Sequence, residues 1–514
     1  MNVIKILLSP QAGAVALKLL VASYVYAHFV TWGHLRHIPA PFPAQFTNIW
    51  LFSVARRGKR YAVVNDIHRR LGKVVRLQPN HVSIADDSAI QEVYGRGKGF
   101  LKSDFYDAFV SIRRGLFNTR DRAEHSRKRK LVSHTFSARS VSEFEPSVHR
   151  NLELFVKRLD ALIDDSPHTT LHGSKEAQLD CLPWFNYLAF DIIGDLAFGA
   201  PFGMLKNGAD IAEVRASPGS SPIYASAIQI LNRRGDVSAT MGIMPWIKPY
   251  AGWLPDPFFS KGLSAVQNLA DIAIARVKAR LENPPPLEQR KDRLARLMEG
   301  RDEKGAPLGQ EELTAEALTQ LIAGSDTTSN SSSALLYHAV RTPGVMEKLH
   351  AELDAAVSPD VTVPTHETVR DLPYLRNVIN EALRHHSTSA LGLPRLVPAD
   401  SPGITILGHY FPPGTVLSVP AYTIHHDKEI RGPDADQLKP ERWEKVTARQ
   451  KNAFLPFSYG PRACVGRNVA EMEMKLVAAT WARRYDMRLR QEVMKTREGF
   501  LHKPLGLKVG IVIR

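Results

Sequence analysis

Two cysteines occur in 514 residues, and the second lies in a segment that few folds accommodate: Phe457-Ser-Tyr-Gly460-Pro-Arg462-Ala-Cys464-Val-Gly466. Glycines at 460 and 466 allow a close turn about Cys464, because only glycine enters left-handed backbone conformations without steric cost. Backbone N–H groups freed by such a turn can face the sulfur and stabilise negative charge on it. Arg462 adds a nearby cation and Phe457 an aromatic wall. A buried cysteine in a glycine-rich turn needs only part of this register. A cysteine thiolate ligating a haem iron needs all of it, since the sulfur must stay ionised and its hydrogen bonds tune the metal. The chain is therefore expected to bind haem, with Cys464 as the axial iron ligand.

Hydrophobic residues at 44% and charged residues at 23% describe a globular chain with a sizeable core. With Cys181 and Cys464 alone, a disulfide framework and a four-cysteine zinc site are excluded, and a reducing compartment is expected. The formal net charge is +15, with basic clusters at Arg56-Arg57-Gly58-Lys59-Arg60, at Arg69-Arg70 with Lys73, and at Arg127-Lys128-Arg129-Lys130. Such a field favours acidic proteins or anionic lipid. No zinc-finger spacing, RNA-binding signature or basic zipper accompanies it, so nucleic acid is not expected as a partner.

From Gln11 to Trp32 the chain is mostly apolar, broken by Lys18, His28 and small polar residues. At roughly 1.5 Å per residue this makes about 33 Å of helix, enough to cross a bilayer core. Tyr24, Tyr26 and Trp32 suit the interface, and His34, Arg36 and His37 form a positive flank that places the following body on the cytosolic side. The run ends in bulky aromatics and not at a small-residue cleavage site, which points to a retained single-pass anchor. Lys18 leaves an interfacial helix as the alternative. The expected organisation is an anchor over residues 1–37, a proline-rich linker and start of the body over 38–55, and a haem-thiolate domain over 56–514.

Within the body, Val74-Val75-Arg76-Leu77 and Val82-Ser83-Ile84 read as strands about a Pro-Asn turn, and helical patterns dominate after Arg122. The fold class is mainly α with a minor β region. A long helix is predicted from about Glu311 to Arg341, stopped by Pro343. In its middle, Ala323-Gly324-Ser325-Asp326-Thr327-Thr328 contains poor helix formers that cost stability and so invite a functional reason. Gly324 would leave room for a diatomic ligand, while Thr327 and Asp326 are the groups expected to hold and deliver protons to oxygen. Elsewhere, Glu381 and Arg384 share a helix face. The propionates of a haem need cations or donors when buried, and Arg462, Arg395 and the helix-face pair His125 and Arg129 are the candidates. Arg127, Lys128 and Lys130 would then face outward, near where an electron donor approaches.

The cysteine loop, the 323–328 segment, Glu381-Ala-Leu-Arg384 and Pro440-Glu-Arg442-Trp443 stand in an order that resembles the cytochrome P450 family over about residues 56–514. That resemblance implies the family fold, haem b, and a scaffold triad of Glu381, Arg384 and Arg442. His125 stands where the family usually has tryptophan. Finer stretches, among them Lys102-Ser-Asp-Phe-Tyr-Asp-Ala-Phe-Val-Ser and Thr496-Arg-Glu-Gly-Phe-Leu-His-Lys-Pro-Leu-Gly, look like the fungal benzoate para-hydroxylases. These imply a monooxygenase of the endoplasmic reticulum membrane. It would take electrons from NADPH through the FAD and FMN of cytochrome P450 reductase, with cytochrome b5 as a second donor, and convert benzoate to 4-hydroxybenzoate. Another small aromatic acid stands as the alternative substrate. A buried substrate carboxylate needs a cation or several donors. Arg114 and Tyr106 are the favoured ones, ahead of Arg113, Ser387, Thr388 and Ser389.

Overall fold

The computed structural model describes residues 10–26, 32–168, 173–214, 223–283, 293–302 and 305–514. Helix α1 (Pro10–Tyr26) lies near the N-terminus, and the helices around the site are α2 (Arg122–Ser133), α3 (Cys181–Phe198), α4 (Ala227–Met241), α5 (Pro257–Glu282), α6 (Gln310–Arg341), α7 (Pro373–His385) and α8 (Arg467–Arg484). The largest sheet orders β1 (Val74–Gln78), β2 (His81–Ile84), β5 (Val416–Ser418), β4 (Arg395–Leu396) and β3 (Leu101–Lys102) side by side. Val74 faces Ile84 and Val75 faces Ser83 in the antiparallel β1–β2 pair, with Pro79 and Asn80 between the strands. Helix dominates and the sheets are small.

Helix α6 follows from its ends. Glu311 and Glu312 occupy the first turn and Arg341 the last, matching the signs of the helix dipole. It runs through the largest core cluster, packed against α3 and α8. Its polar residues survive burial by bonding backwards: Thr314, Thr319, Ser325, Thr327 and Ser333 each donate to the carbonyl four residues earlier. Gly324 also serves the packing of helices. A Cβ there would come within 2.6 Å of Ile193 Cδ1, so the missing side chain lets α3 approach α6.

Among the described residues no helix is long and apolar enough to cross a membrane. The described part of α1 accounts for about 26 Å at roughly 1.5 Å per residue, against a hydrocarbon core of about 30 Å. Residues 1–9 of the expected anchor, and 27–31 of its apolar run, lie outside the described residues.

Candidate active site

The loop before α8 is tied by the Cys464 N–H, which donates to Phe457 O at 2.9 Å. Gly460 is the residue this turn cannot replace: its φ is +71°, and a Cβ would lie 1.9 Å from Tyr94 O. Gly466 differs from expectation. Its φ is −83° at the N-cap of α8, and a Cβ would make only ordinary contacts with Phe136 and Cys464. The Cys464 side chain is accessible from an internal cavity although the site is deep in the protein. Burial pushes its thiol up, while the Gly466 N–H and the charges of Arg129 and Arg467 pull it down. Phe457 lines the same cavity and lies 5.5 Å from the Arg467 guanidinium.

The cavity has a volume of about 330 Å³. Cys464 lies on one wall, and α6 supplies another through Ala323, Gly324, Thr327 and Thr328. Thr327 Oγ1 donates to Ala323 O at 2.7 Å. Asp326 turns away: its Oδ2 pairs with Lys503 Nζ at 2.6 Å, and its Oδ1 accepts from Asn330 Nδ2 at 2.9 Å. Lys503 also donates to Asn232 Oδ1 at 2.6 Å. Asp326 therefore lies off the cavity wall, at a junction of α6, α4 and the strand His502–Pro504.

At one edge the cavity gathers cations with no acid partner among the described residues. Arg395 donates to Tyr106 Oη at 3.0 Å, and Arg462 to the carbonyls of Thr119 and Arg120 at 2.6 and 3.0 Å. Arg129 donates to Ala463 O at 2.5 Å, beside the cysteine, although neither it nor His125 lines the cavity. Lys102, which the sequence reading did not single out, donates to Phe117 O and stands 4.3 Å from the Tyr106 ring. Burial and the charges of Arg395 and Arg462 hold Lys102 well below the usual lysine range. Burial, then Arg462 and Lys102, hold His125 at about 3, so it is a neutral imidazole. Mutual repulsion of this kind is relieved by a bound anion. A group carrying two carboxylates, with a metal for the Cys464 sulfur, fits this wall. Haem has both.

Lys128 departs from the outward orientation expected of it. It is 1% exposed and pairs with Glu312 at 2.6 Å and Glu316 at 3.1 Å, because α6 presents two carboxylates to that face of α2. Arg127 joins the same network through Glu124 and Glu312. Lys130 remains exposed.

Glu381, Arg384 and Arg442 meet in the core. Glu381 Oε1 accepts from Arg384 Nη2 and Arg442 Nε, both at 2.8 Å, and Oε2 from Arg384 Nε at 2.8 Å and Trp443 Nε1 at 2.9 Å. The carboxylate is held below its usual range by the two arginines, against the cost of burial. The network clamps α7 to the segment that leads to the cysteine loop.

Neither residue favoured for a substrate carboxylate lines the cavity. Arg114 is ion-paired to Asp107 at 2.7 Å, which also takes Arg120 at 2.8 Å. Tyr106 is buried and orients Arg395. Arg113 lines the cavity but faces Glu312 at 3.6 Å. Thr388 and Ser389 also line it, with Thr388 bonded to Ser331, while Ser387 bonds His425 at 2.6 Å. Further wall residues carry no local sequence signal: Arg234, Arg293 and Glu473, the last accepting from Thr328 Oγ1 at 3.0 Å.

A family model described as Cytochrome P450 matches residues 39–511. The chain is 60% identical over 98% of its length to a benzoate 4-monooxygenase of Aspergillus niger, of which 98% is covered. It is 30% identical to a cytochrome P450 monooxygenase of Emericella nidulans over 93% of each chain. A cytochrome P450 monooxygenase of Aspergillus terreus is 31% identical over 88% of this chain and 90% of its own length. With Cys464, a cationic edge and the 323–328 segment of α6 around one cavity, and a family model matching residues 39–511, this chain belongs to the cytochrome P450 family.

Proposed function

We propose that this protein is a membrane-anchored monooxygenase that hydroxylates benzoate at the para position to 4-hydroxybenzoate, with electrons from NADPH delivered by a flavoprotein reductase. The observation that carries the reading is the 60% identity, over 98% of both chains, to a benzoate 4-monooxygenase. Haem, when bound, supplies the iron at which dioxygen is reduced and oxygen transferred. The chain supplies the rest. Cys464 presents the sulfur, and Arg462, Arg395, Arg129 and neutral His125 receive the propionates, joined by Lys102. Thr327 Oγ holds a proton at the cavity wall. Asp326, tethered by Lys503, passes protons inward when that ion pair loosens. Glu381, Arg384 and Arg442 keep the loop in place.

The membrane part of the proposal rests on the N-terminal segment and on exposed apolar side chains. Trp246, Tyr250 and Trp253 are 65, 52 and 83% exposed, and Phe42 and Ile49 are 82 and 65% exposed. The segments carrying Ile49 and Trp246 are joined by Gln78, which donates to Asn48 Oδ1 and Ile243 O at 3.0 Å each. Tyr24 of α1 donates to Phe46 O at 2.7 Å, next to this surface. Residues 1–37 then form the anchor, 38–55 the link, and the body faces the cytosol at the endoplasmic reticulum. The reductase, and cytochrome b5 as a second donor, would dock on the Cys464 side, where Lys130 and Arg139 are exposed.

The test is a benzoate titration of the purified ferric holoenzyme, followed at the Soret band. A saturable shift to high spin, with 4-hydroxybenzoate as the product on addition of reductase and NADPH, is expected. A normal thiolate-haem spectrum that ignores benzoate overturns the substrate.

A further inference from the structure

The cations on the cavity wall divide by what they face. Lys102, Arg395 and Arg462 form the propionate edge, Arg113 faces Glu312, and Arg293 lies over the Phe136 and Phe144 rings in the field of Glu473. Arg234 belongs to none of these groups. It projects from α4, is 6% exposed, and has no carboxylate partner among the described residues. Its Nη2 donates to Phe109 O at 3.0 Å, and its Nε is buried with no hydrogen-bond partner. Burial alone lowers it to about 10, so it stays charged at neutral pH. A buried cation left in this state is a binding group awaiting an anion.

Its surroundings specify the rest of the ligand. Phe109, whose carbonyl it holds, lines the cavity with Phe117 and Phe500. The three ring centroids are 5.8, 4.8 and 5.3 Å apart, with planes inclined at 78, 66 and 74°. Edge-on rings of this kind complement a flat aromatic guest. Ser111, two residues beyond Phe109, also lines the cavity, and its hydroxyl is buried without a partner.

We propose that Arg234, with Ser111 as a second donor, binds the carboxylate of the aromatic acid substrate, and that Phe109, Phe117 and Phe500 hold its ring. The para carbon is then the ring atom farthest from the anchor, which accounts for position selectivity by distance alone. The inference rests on the reading of the substrate as benzoate.

The experiment is Soret titration of the wild-type, Arg234→Gln and Arg234→Lys holoenzymes with benzoate and with neutral benzamide. Arg234→Gln is expected to weaken benzoate about 10- to 100-fold and benzamide less than about threefold, with Arg234→Lys between. Residual turnover should lose para selectivity. Unchanged benzoate affinity and para product in Arg234→Gln overturn the proposal while leaving the substrate reading intact. A wild-type enzyme blind to benzoate overturns both. If the variants do not load haem, the wild type is treated with phenylglyoxal, itself a small aromatic, and modified arginines are mapped by mass spectrometry. Benzoate should shield Arg234 where benzamide does not, and absence of shielding overturns the proposal.

Discussion

Two buried arginine sites in this protein differ in a single respect. Around Glu381, two guanidinium groups, an indole N–H and a backbone N–H converge on one carboxylate, and Arg384 spends its remaining donors on the carbonyls of His425 and Ala435 at 2.8 Å each. On the cavity wall, Lys102, Arg395, Arg462 and Arg234 reach only neutral oxygens. The first site is closed and complete, so it is scaffold. The second is short of negative charge, and that deficit is what makes it receptive. Burial of charge is costly in both places; only the completeness of the partners separates structure from binding.

The strongest way to break this contrast is Glu381→Ala. It leaves the buried Arg384 guanidinium with no carboxylate partner among the described residues and Arg442 with Asp434 alone at 3.2 Å, and should cost roughly 3–5 kcal/mol, read as a fall in the thermal midpoint and in the yield of thiolate-type ferrous–CO absorbance. A stable, haem-loaded variant would show that the network is dispensable.

Acid should weaken the scaffold side through its histidines. His425 Nε2 accepts from the Leu455 N–H at 2.8 Å and must be neutral to do so, and His386 stacks on His502 with centroids 4.1 Å apart. Burial lowers His386 to about 4 and His426 to about 3. Their folded values lie below the unfolded value of about 6.5. The associated stability is therefore complete above pH about 6.5 and is lost as pH falls towards 4 and 3. Denaturant unfolding across that window should show the decline, and His386→Gln should flatten it by at most about 1.4 kcal/mol per pH unit.

A single substitution on the cavity side should have opposite signs in two states. Lys102→Met removes a cation repelled by Arg395 and Arg462, so the haem-free chain should gain about 1 kcal/mol. The same change should speed haem transfer to a scavenger protein about tenfold, the worth of one charge-assisted bond. Slower haem loss would place Lys102 outside the propionate edge.

The remaining test concerns an acid on the cavity wall. Burial raises Glu473 to about 7, so its ionisation opposes folding. That stability is present below the unfolded carboxylate value and is lost as pH rises through about 7. Glu473→Gln should gain roughly 3 kcal/mol relative to wild type at pH 8 and less than about 1 kcal/mol at pH 5. Equal stability differences at both values would assign the charge to Arg293.

Most of the fold's local punctuation was legible in the chain. The β1–β2 hairpin, the limits of α6 and the cysteine loop all follow from signals spaced within a few residues. Glycines were less legible. Gly460 takes the positive φ that its type invites, whereas Gly466 does not, and Gly324 answers to Ile193 on another helix. A glycine's identity reports freedom, and only the neighbour across the gap says what that freedom is for.

By itself the sequence determined the chemistry on offer: a cysteine in a tight loop, a polar interruption in a long helix, a Glu-x-x-Arg pair and an excess of cations. Tertiary structure alone decided which cation meets which partner. Lys128 finds Glu312 across 184 residues, and Arg234 finds Phe109 across 125. The reason is physical. Helix and turn signals act over one or two turns of chain, whereas the state of a buried charge depends on every element packed around it. Whether an arginine is scaffold, solvent-facing or an anchor for a substrate is therefore settled by packing and not by its neighbours in sequence.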